Sequence, residues 1–426
     1  MQPEMLVSQN HLQSTRKNKS YLNYIYNEGL LNFRSYKSYV VITCLKGLAP
    51  FVRKEVEALG YHITSEWVTG IQLKASMADC IRLNLRLRCA SQVLFEIAAF
   101  DANDIEHVSS MMKKIPWEDL IPSDGYVSVT NSARHDSINN TMFANQFVKD
   151  IICDRIKENT DNRPDAGPKQ DYSVVNWVWI NNQVSVFLDT SGNSLGKHGY
   201  RLFPGKAPLG EAVSAAIVYA SEWDCSSTLL NPMCGSGTLA IEAAMIQSKR
   251  YPGLNRNNYA FMHFLGYQKG FYESELEEIR NIVDLQAKKC IIASDIDSEA
   301  IDIAMSNAEK AGVRHLISFG KGDFMQSPVP EAENGIVLFN PPYGERLGEA
   351  EDLKFLYASI GDFLKKRCKG YKAFVLSGNP DLMKFIGLQT FLKLQLYAGK
   401  IECKLHGFKM YAGKKNQEEV TINEES

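Results

Sequence analysis

The chain is predicted to be an α/β protein whose C-terminal half rests on an open, mostly parallel sheet. Three observations carry that reading. Ser227-Thr228-Leu229-Leu230 reads as a strand, Asn231-Pro232-Met233-Cys234-Gly235-Ser236-Gly237-Thr238 as a glycine turn, and Leu239-Ala240-Ile241-Glu242-Ala243-Ala244-Met245 as a helix, all in register. Cys290-Ile291-Ile292-Ala293-Ser294-Asp295 is an apolar strand ending in a carboxylate. Ile336-Val337-Leu338-Phe339, preceded by Gly335, is a buried strand stopped by Pro341 and Pro342, which cannot donate to a sheet ladder.

The remaining elements follow in chain order. Tyr39-Val40-Val41-Ile42-Thr43 opens the first strand, and Gly47-Leu48-Ala49-Pro50 leads into a helix over 51–59 that Gly60 ends. Residues 83–88, with Val93-Leu94 after them, are assigned to a helix and its exit. A second α/β unit starts at Tyr126-Val127-Ser128-Val129-Thr130 and continues into an amphipathic helix over 143–156. The runs 174–180 and 184–188 are strands joined at Asn181-Asn182, a hairpin signal. Trp177 and Trp179 alternate, so they share one face and are read as core. The stretch from Gly237 to Asp295 far exceeds the roughly 20-residue interval of a minimal βαβ unit. Its excess, 248–278, is read as an insertion rich in Tyr, Phe, Arg and Asn. Leu316-Ile317-Ser318-Phe319 and 372–377 add core strands, and 394–397 with 401–409 form a hairpin around Ala398-Gly399-Lys400.

In open α/β sheets ligands bind beyond the strands' C-terminal ends, which is where the polar residues of this half collect. Gly235 and Gly237 let the backbone turn tightly, and the helix that follows offers unpaired N–H groups to an anionic end such as a carboxylate. Asn231 opens the turn, and Cys234 is predicted to pack beneath it, since no activating His or Lys lies nearby in sequence. Asp295 is placed to accept hydrogen bonds from ribose hydroxyls; capping the helix near Ser298 is its alternative, a job Asp297 can do instead. Asp323, after Gly322, is a candidate acceptor for an adenine amine. Beyond the last strand, the Asn340 side-chain oxygen and the Pro341 carbonyl can each accept one hydrogen of an exocyclic amine, while the Tyr343 ring stacks on the base. The amine lone pair is then left to attack a methyl group. Glycine turn, acid, acid and Asn-Pro-Pro-Tyr is the order expected of an S-adenosyl-L-methionine-dependent methyltransferase acting on an exocyclic base nitrogen.

From about Tyr39 to Tyr411 the chain resembles the THUMP-containing RNA guanine-N2 methyltransferases, especially the bacterial branch that modifies 23S ribosomal RNA. The resemblance is carried by Leu188-Asp189-Thr190-Ser191-Gly192-Asn193-Ser194-Leu195, Gly199-Tyr200-Arg201, Ala207-Pro208-Leu209-Gly210-Glu211 and Pro252-Gly253-Leu254-Asn255-Arg256. It continues in the glycine turn and in Asn340-Pro341-Pro342-Tyr343-Gly344-Glu345-Arg346-Leu347. Two positions depart: Asn231 stands where the family usually has Asp, and His198 where it usually has Arg. The resemblance implies a ferredoxin-like segment plus a THUMP RNA-binding domain over 38–190, and a Rossmann-like methyltransferase domain over 191–412. Residues 1–37 would be a flexible extension and 413–426 a polar tail. It further implies S-adenosyl-L-methionine as cofactor, RNA as partner and N2-methylguanosine as product.

Composition narrows the classes. A length of 426 residues implies two or three domains, and 45% hydrophobic content is ample for cores. Net charge is −2, so an RNA site has to be a local patch. Lys197, His198 and Arg201 form one short cationic run, read equally as RNA contact or solvated linker. Arg256, with Tyr259 and Phe261, can guide a substrate strand or simply pack the insertion. The nine cysteines show no C-x-x-C pattern, which points to reduced thiols with neither disulfides nor a metal. No apolar run approaches membrane-spanning length, so the expectation is a soluble, cytoplasmic protein with no membrane partner; oligomeric state is not fixed, and a monomer fits. The alternatives are a transfer-RNA guanine-N2 methyltransferase, an N6-adenine DNA methylase, and an RNA-binding ribosome assembly factor that does not methylate.

Overall fold

The computed structural model describes residues 36–131, 140–203, 209–331, 334–343 and 350–411. The predicted extension, apart from its last two residues, lies outside these, as do the polar tail, Ala207-Pro208 and Gly344 to Leu347. The chain forms two compact units, Met1–Gly199 with Arg250–Val283 and Tyr200–Lys249 with Asp284–Ser426.

The first unit is built on one eight-stranded sheet in the order β2-β3-β1-β4-β8-β7-β5-β6. In chain order it runs β1 (Lys37–Thr43), α1 (Ala49–Ala58), β2 (Ile63–Trp67), β3 (Gly70–Ser76), α2 (Met77–Arg86), β4 (Gln92–Asp101) and α3 (Ile105–Met112). It continues with β5 (Tyr126–Asn131), α4 (Thr141–Thr160), β6 (Asp165–Ala166), β7 (Ser173–Ile180) and β8 (Gln183–Asp189). Pro50 sits in the first turn of α1, where a missing N–H costs nothing, and Ser76 with Asp79 closes a capping box on α2. The sequence reading of 83–94 is corrected here. The helix starts six residues earlier, and Val93 and Leu94 belong to a ten-residue strand. β4 is buried on both faces for most of its length, so it shows no alternation and its apolar run looked like a helix exit. β4 joins β8 antiparallel, Leu94 facing Asp189, which fuses the two predicted front segments into a single sheet. β7 is likewise buried on both faces, and Trp177 and Trp179 are core as expected. α4 buries Ala144, Val148, Ile151, Ile152 and Ile156 at helical spacing, while Phe143 is exposed and outside that face.

Residues 250–283 pack with this unit. Two single turns, Pro252–Asn255 and Ala260–His263, precede the helix Lys269–Asn281. Arg86 anchors that helix through Glu275 at 3.0 Å and Glu278 at 2.8 Å. Tyr259 stacks on Phe261 with ring centroids 5.1 Å apart, so the aromatic content of the predicted insertion is its own core.

The second unit holds α5 (Glu211–Ala220), β9 (Leu229–Pro232), α6 (Thr238–Gln247), β10 (Ile291–Asp295), α7 (Ser298–Lys310), β11 (Ile317–Lys321), β12 (Ile336–Phe339), α8 (Ala350–Arg367), β13 (Lys372–Ser377), β14 (Thr390–Ala398) and β15 (Ile401–Lys409). Its sheet order is β11-β10-β9-β12-β13-β15-β14, parallel from β11 to β13, with β15 antiparallel to both neighbours. The first strand was placed at 227–230 from sequence; it lies two residues further on and carries Asn231 to the sheet's C-terminal edge. Successive strands fill opposite sides of β9, so the strand order reverses between β9 and β12. Those two strands pair only through Ile336↔Leu229 and Val337↔Leu230, then part. In sheets of this kind that point is the usual ligand position. Tyr357, Ile360 and Phe363 of α8 pack with Val337, Phe339 and Val375 to form the core beneath the ends of β12 and β13.

Candidate active site

Where β9 and β12 part, a side chain replaces the lost ladder bond: Asn231 Nδ2 donates to the Leu338 carbonyl at 2.9 Å. Its Oδ1 is buried without a partner. An amide can make that donation, whereas an ionised Asp at the same position has no hydrogen to give.

The glycine turn is held on three sides. Cys234 N–H donates to the Ser294 carbonyl at 2.9 Å, Gly235 N–H to Asp295 Oδ2 at 2.9 Å, and Gly237 N–H to the Cys234 carbonyl at 2.9 Å. Met233, Gly235 and Gly237 all have positive φ, 58°, 53° and 80°. The two glycines are needed for different reasons. A Cβ on Gly237 would lie 2.8 Å from Ala304 Cβ of α7, so helix and turn touch there. A Cβ on Gly235 would meet nothing within 4 Å, so this side of the turn faces open space. Cys234 packs beneath the turn as expected, 9% exposed, and burial beside Asp295 pushes its thiol well up, which keeps it un-ionised and unreactive. The other Asp295 oxygen accepts from Asp297 N–H at 3.0 Å, and Asp297 itself caps α7 through Glu299 N–H at 2.9 Å. Asp295 thus fastens the turn to the end of β10 and keeps lone pairs for hydroxyl donors. Asp323, exposed after β11, caps a short turn through Met325 N–H at 2.9 Å and keeps its second oxygen.

Asn340 follows β12, and its Oδ1 is a buried acceptor with no partner among the described residues. A buried carbonyl oxygen left unpaired is costly unless a ligand completes it. Pro341 is buried beside it. Tyr357 supports the loop from below, its hydroxyl 2.9 Å from Ser377 Oγ and 3.4 Å from the Pro342 carbonyl. The Tyr343 ring packs against Gly378, where a Cβ would lie 2.9 Å from its Cδ2 and 3.0 Å from its Cε2. Its hydroxyl receives only a weak contact from the Cys403 thiol at 3.7 Å. Burial and Cys403 push that hydroxyl up, so it stays protonated. Sequence reasoning missed Tyr357 and Gly378, because both act through packing that strand periodicity does not reveal.

The predicted RNA residues divide. Lys197 is exposed. His198 is 1% exposed with Nε2 2.8 Å from the Arg88 carbonyl, so it is corrected to a structural residue closing the turn after α2. Arg201 is also corrected. It bonds the Leu209 carbonyl at 2.7 Å, Glu211 at 3.2 Å, Thr238 Oγ1 at 3.3 Å and Ser236 Oγ at 3.4 Å, and so braces the glycine turn. Arg256 donates to the carbonyls of Ser191 at 2.6 Å, Asn193 at 2.8 Å and Asn258 at 2.8 Å, and stacks on Tyr259 at 4.4 Å. Three of its five N–H groups end on backbone, which makes it a clip inside the first unit.

Sheet order, glycine turn, strand-end acids and the Asn340 loop define a doubly wound domain of the methyltransferase class. Three family models match in succession: an RlmL ferredoxin-like domain over 40–94, a THUMP domain over 102–189, and an RMKL-like methyltransferase domain over 198–406. The chain is 37% identical over 375 residues to a ribosomal RNA large subunit methyltransferase K/L of Syntrophotalea carbinolica, covering 86% of this chain and 53% of that one. It therefore spans about half the length of the curated relatives it matches. Among solved structures it is 30% identical to a possible methylase from Clostridium difficile 630, with TM-score 0.81, covering 89% of this chain and all of the other. SMU.472, provisionally described as a methyltransferase and solved in complex with SAH, is 26% identical with TM-score 0.80, covering 89% and 99%. A Listeria monocytogenes protein described as a predicted N6-adenine-specific DNA methylase is 28% identical with TM-score 0.79, covering 93% and 99%. The chain belongs to the THUMP-containing methyltransferase family.

Proposed function

We propose that the protein is an S-adenosyl-L-methionine-dependent RNA methyltransferase that forms N2-methylguanosine in large-subunit (23S) ribosomal RNA, in the cytoplasm. The observation that carries the reading is the buried Asn340 Oδ1, without a partner among the described residues, at the end of β12 beside the strand-order reversal. The names of the K/L relative and of the SAH-bound neighbour support the RNA class and the donor.

The residues present fit the donor. The open side of Gly235 and the first N–H groups of α6 suit its amino-acid end, Asp295 its ribose and Asp323 its adenine amine. When bound, the group supplies a methyl on a positively charged sulfur. The protein's own part is orientation. Asn340 Oδ1 and the Pro341 carbonyl accept the two hydrogens of the base amine, which localises a lone pair otherwise delocalised into the ring. Tyr343, neutral and backed by Gly378, offers a flat face to the base. Transfer is an in-line displacement, so fixing the amine at the donor contributes most of the acceleration. A base within a helix has to leave its stack to reach such a pocket.

The name of the Listeria neighbour favours a second reading, N6-adenine methylation, because the same loop can hold an adenine amine. Mass spectrometry of nucleosides from ribosomal RNA, transfer RNA and DNA of cells with and without the protein separates them. Loss of one N2-methylguanosine on deletion is the expected result. Loss of N6-methyladenosine instead would refute the substrate and keep the mechanism, and no change in any methylated nucleoside would refute the enzyme.

A further inference from the structure

Arg201 begins a short strap, Arg201-Leu202-Phe203, and one side chain fastens that strap to the glycine turn. Asn307 of α7 is 1% exposed. Its Oδ1 accepts from Leu202 N–H at 2.9 Å and from Phe203 N–H at 3.4 Å. Its Nδ2 donates to the Phe203 carbonyl at 3.2 Å and to the Ser236 carbonyl at 3.3 Å. Both hydrogens and both lone pairs of the amide are used, and every partner is backbone. Ala304, one helical turn earlier on the same face, is the residue against which Gly237 packs. α7 therefore meets the turn at two points, one a contact that fixes distance and one a hydrogen bond that fixes direction.

The direction matters because the Ser236 carbonyl and the Gly237 N–H belong to one peptide plane. Asn307 holds one end of that plane, and the Cys234 carbonyl holds the other at 2.9 Å. With both ends tied, the peptide plane that leads into α6 keeps one orientation. The strap side of the latch leaves Leu202 and Phe203 53% and 54% exposed, so their side chains are not what the core requires.

We propose that Asn307 is a positioning residue for donor binding, locking the Ser236–Gly237 peptide plane and the Leu202–Phe203 strap into the arrangement that receives the donor's amino-acid end. The inference rests on the donor reading given above. Only a residue that donates and accepts at once can serve. Aspartate keeps the acceptor but turns a carboxylate oxygen toward two carbonyls.

The test is calorimetry with S-adenosylhomocysteine on the full chain, with melting recorded for each variant. Asn307→Asp should raise Kd roughly tenfold or more. The KM for the methyl donor should rise in step, with kcat at saturating donor within about threefold of the parent. Leu202→Pro removes the 2.9 Å donor from the strap side without touching the α7 core, and should raise Kd by several-fold even if Asn307→Asp folds poorly. Leu396→Ala, fully buried on β14 and four strands from β9 in the sheet order, controls for stability: its melting should fall while Kd stays within about twofold. If Asn307→Asp and Leu202→Pro bind as tightly as the parent, or if Leu396→Ala weakens binding as much as they do, the latch is merely structural and the inference is overturned. A parent that binds no S-adenosylhomocysteine would overturn the donor reading and this inference together.

Discussion

Asn340 and Asp295 are both polar residues at strand ends, yet they relate to the fold in opposite ways. Asn340 Oδ1 has no partner among the described residues, so replacing it removes no hydrogen bond of that oxygen from the folded state. Asn340→Ala should lower single-turnover methylation by orders of magnitude on RNA lacking its own modifications, with melting nearly unchanged. Full activity in that variant would sink the mechanism. Tyr343→Phe should keep most activity, since the hydroxyl meets only a thiol at 3.7 Å, whereas Tyr343→Ala should lose base stacking of roughly 1–3 kcal/mol. Asp295 is different, because its two oxygens hold Gly235 and Asp297 N–H groups. Alanine there would loosen the turn as well as remove the ribose acceptor. Asp295→Asn keeps one acceptor, for either the Gly235 or the Asp297 N–H, and loses the charge together with the other acceptor. It should weaken S-adenosylhomocysteine binding by about 1.5–3 kcal/mol, the scale of a charge-assisted hydrogen bond. Calorimetry showing parental affinity would remove the ribose assignment.

Among the elements, the glycine turn is where sequence and structure agree most closely, and the two glycines make separable predictions. Gly237→Ala adds left-handed strain of about 1–2 kcal/mol and a 2.8 Å clash with Ala304, so it should cost melting temperature first. Gly235→Ala carries similar strain into open space. It should melt nearer the parent but bind S-adenosylhomocysteine less well, because its methyl occupies the donor's side of the turn. Equal melting losses in the two variants would contradict this division. The turn was legible because its chemistry is local: glycine, strand-end acid and proline stop each declare themselves within a few residues. β4 was not, since a strand buried on both faces loses the period that identifies it. The roles of His198, Arg201 and Arg256 were not legible either. A cationic run looks the same in sequence whether its guanidinium groups face solvent or end on backbone carbonyls, and here those of Arg201 and Arg256 end inside the protein. Asn307 escaped notice for the same reason, as its four partners come from two segments of chain far from it in sequence.

Over the whole molecule the charge is nearly balanced, at −2, so the proposed RNA substrate would have to be held by local patches whose affinity falls with salt. One contribution to the pH response comes from a buried carboxyl group of the first unit. Asp189, at the end of β8, is fully buried, and desolvation pushes its carboxyl from an ordinary 3.8 to about 7. N–H donors from Gly192, Ser191 and Gln92, together with Arg256, pull the other way without cancelling it. In the unfolded chain the same group titrates near 4. Between about pH 4 and 7 the folded state therefore binds a proton that the unfolded state has released, and stability falls as pH rises through that window. The contribution is fully present below the lower value, is lost as pH passes the upper one, and is flat beyond it. A difference of that size is worth a few kcal/mol at roughly 1.4 kcal/mol per pH unit. Asp189→Asn keeps an oxygen for the Ser191 and Gly192 N–H groups and removes the titration. Denaturant unfolding from pH 5 to 8 should show the parent losing stability relative to Asp189→Asn across the window. Parallel curves would mean that the donors around Asp189 hold it ionised throughout.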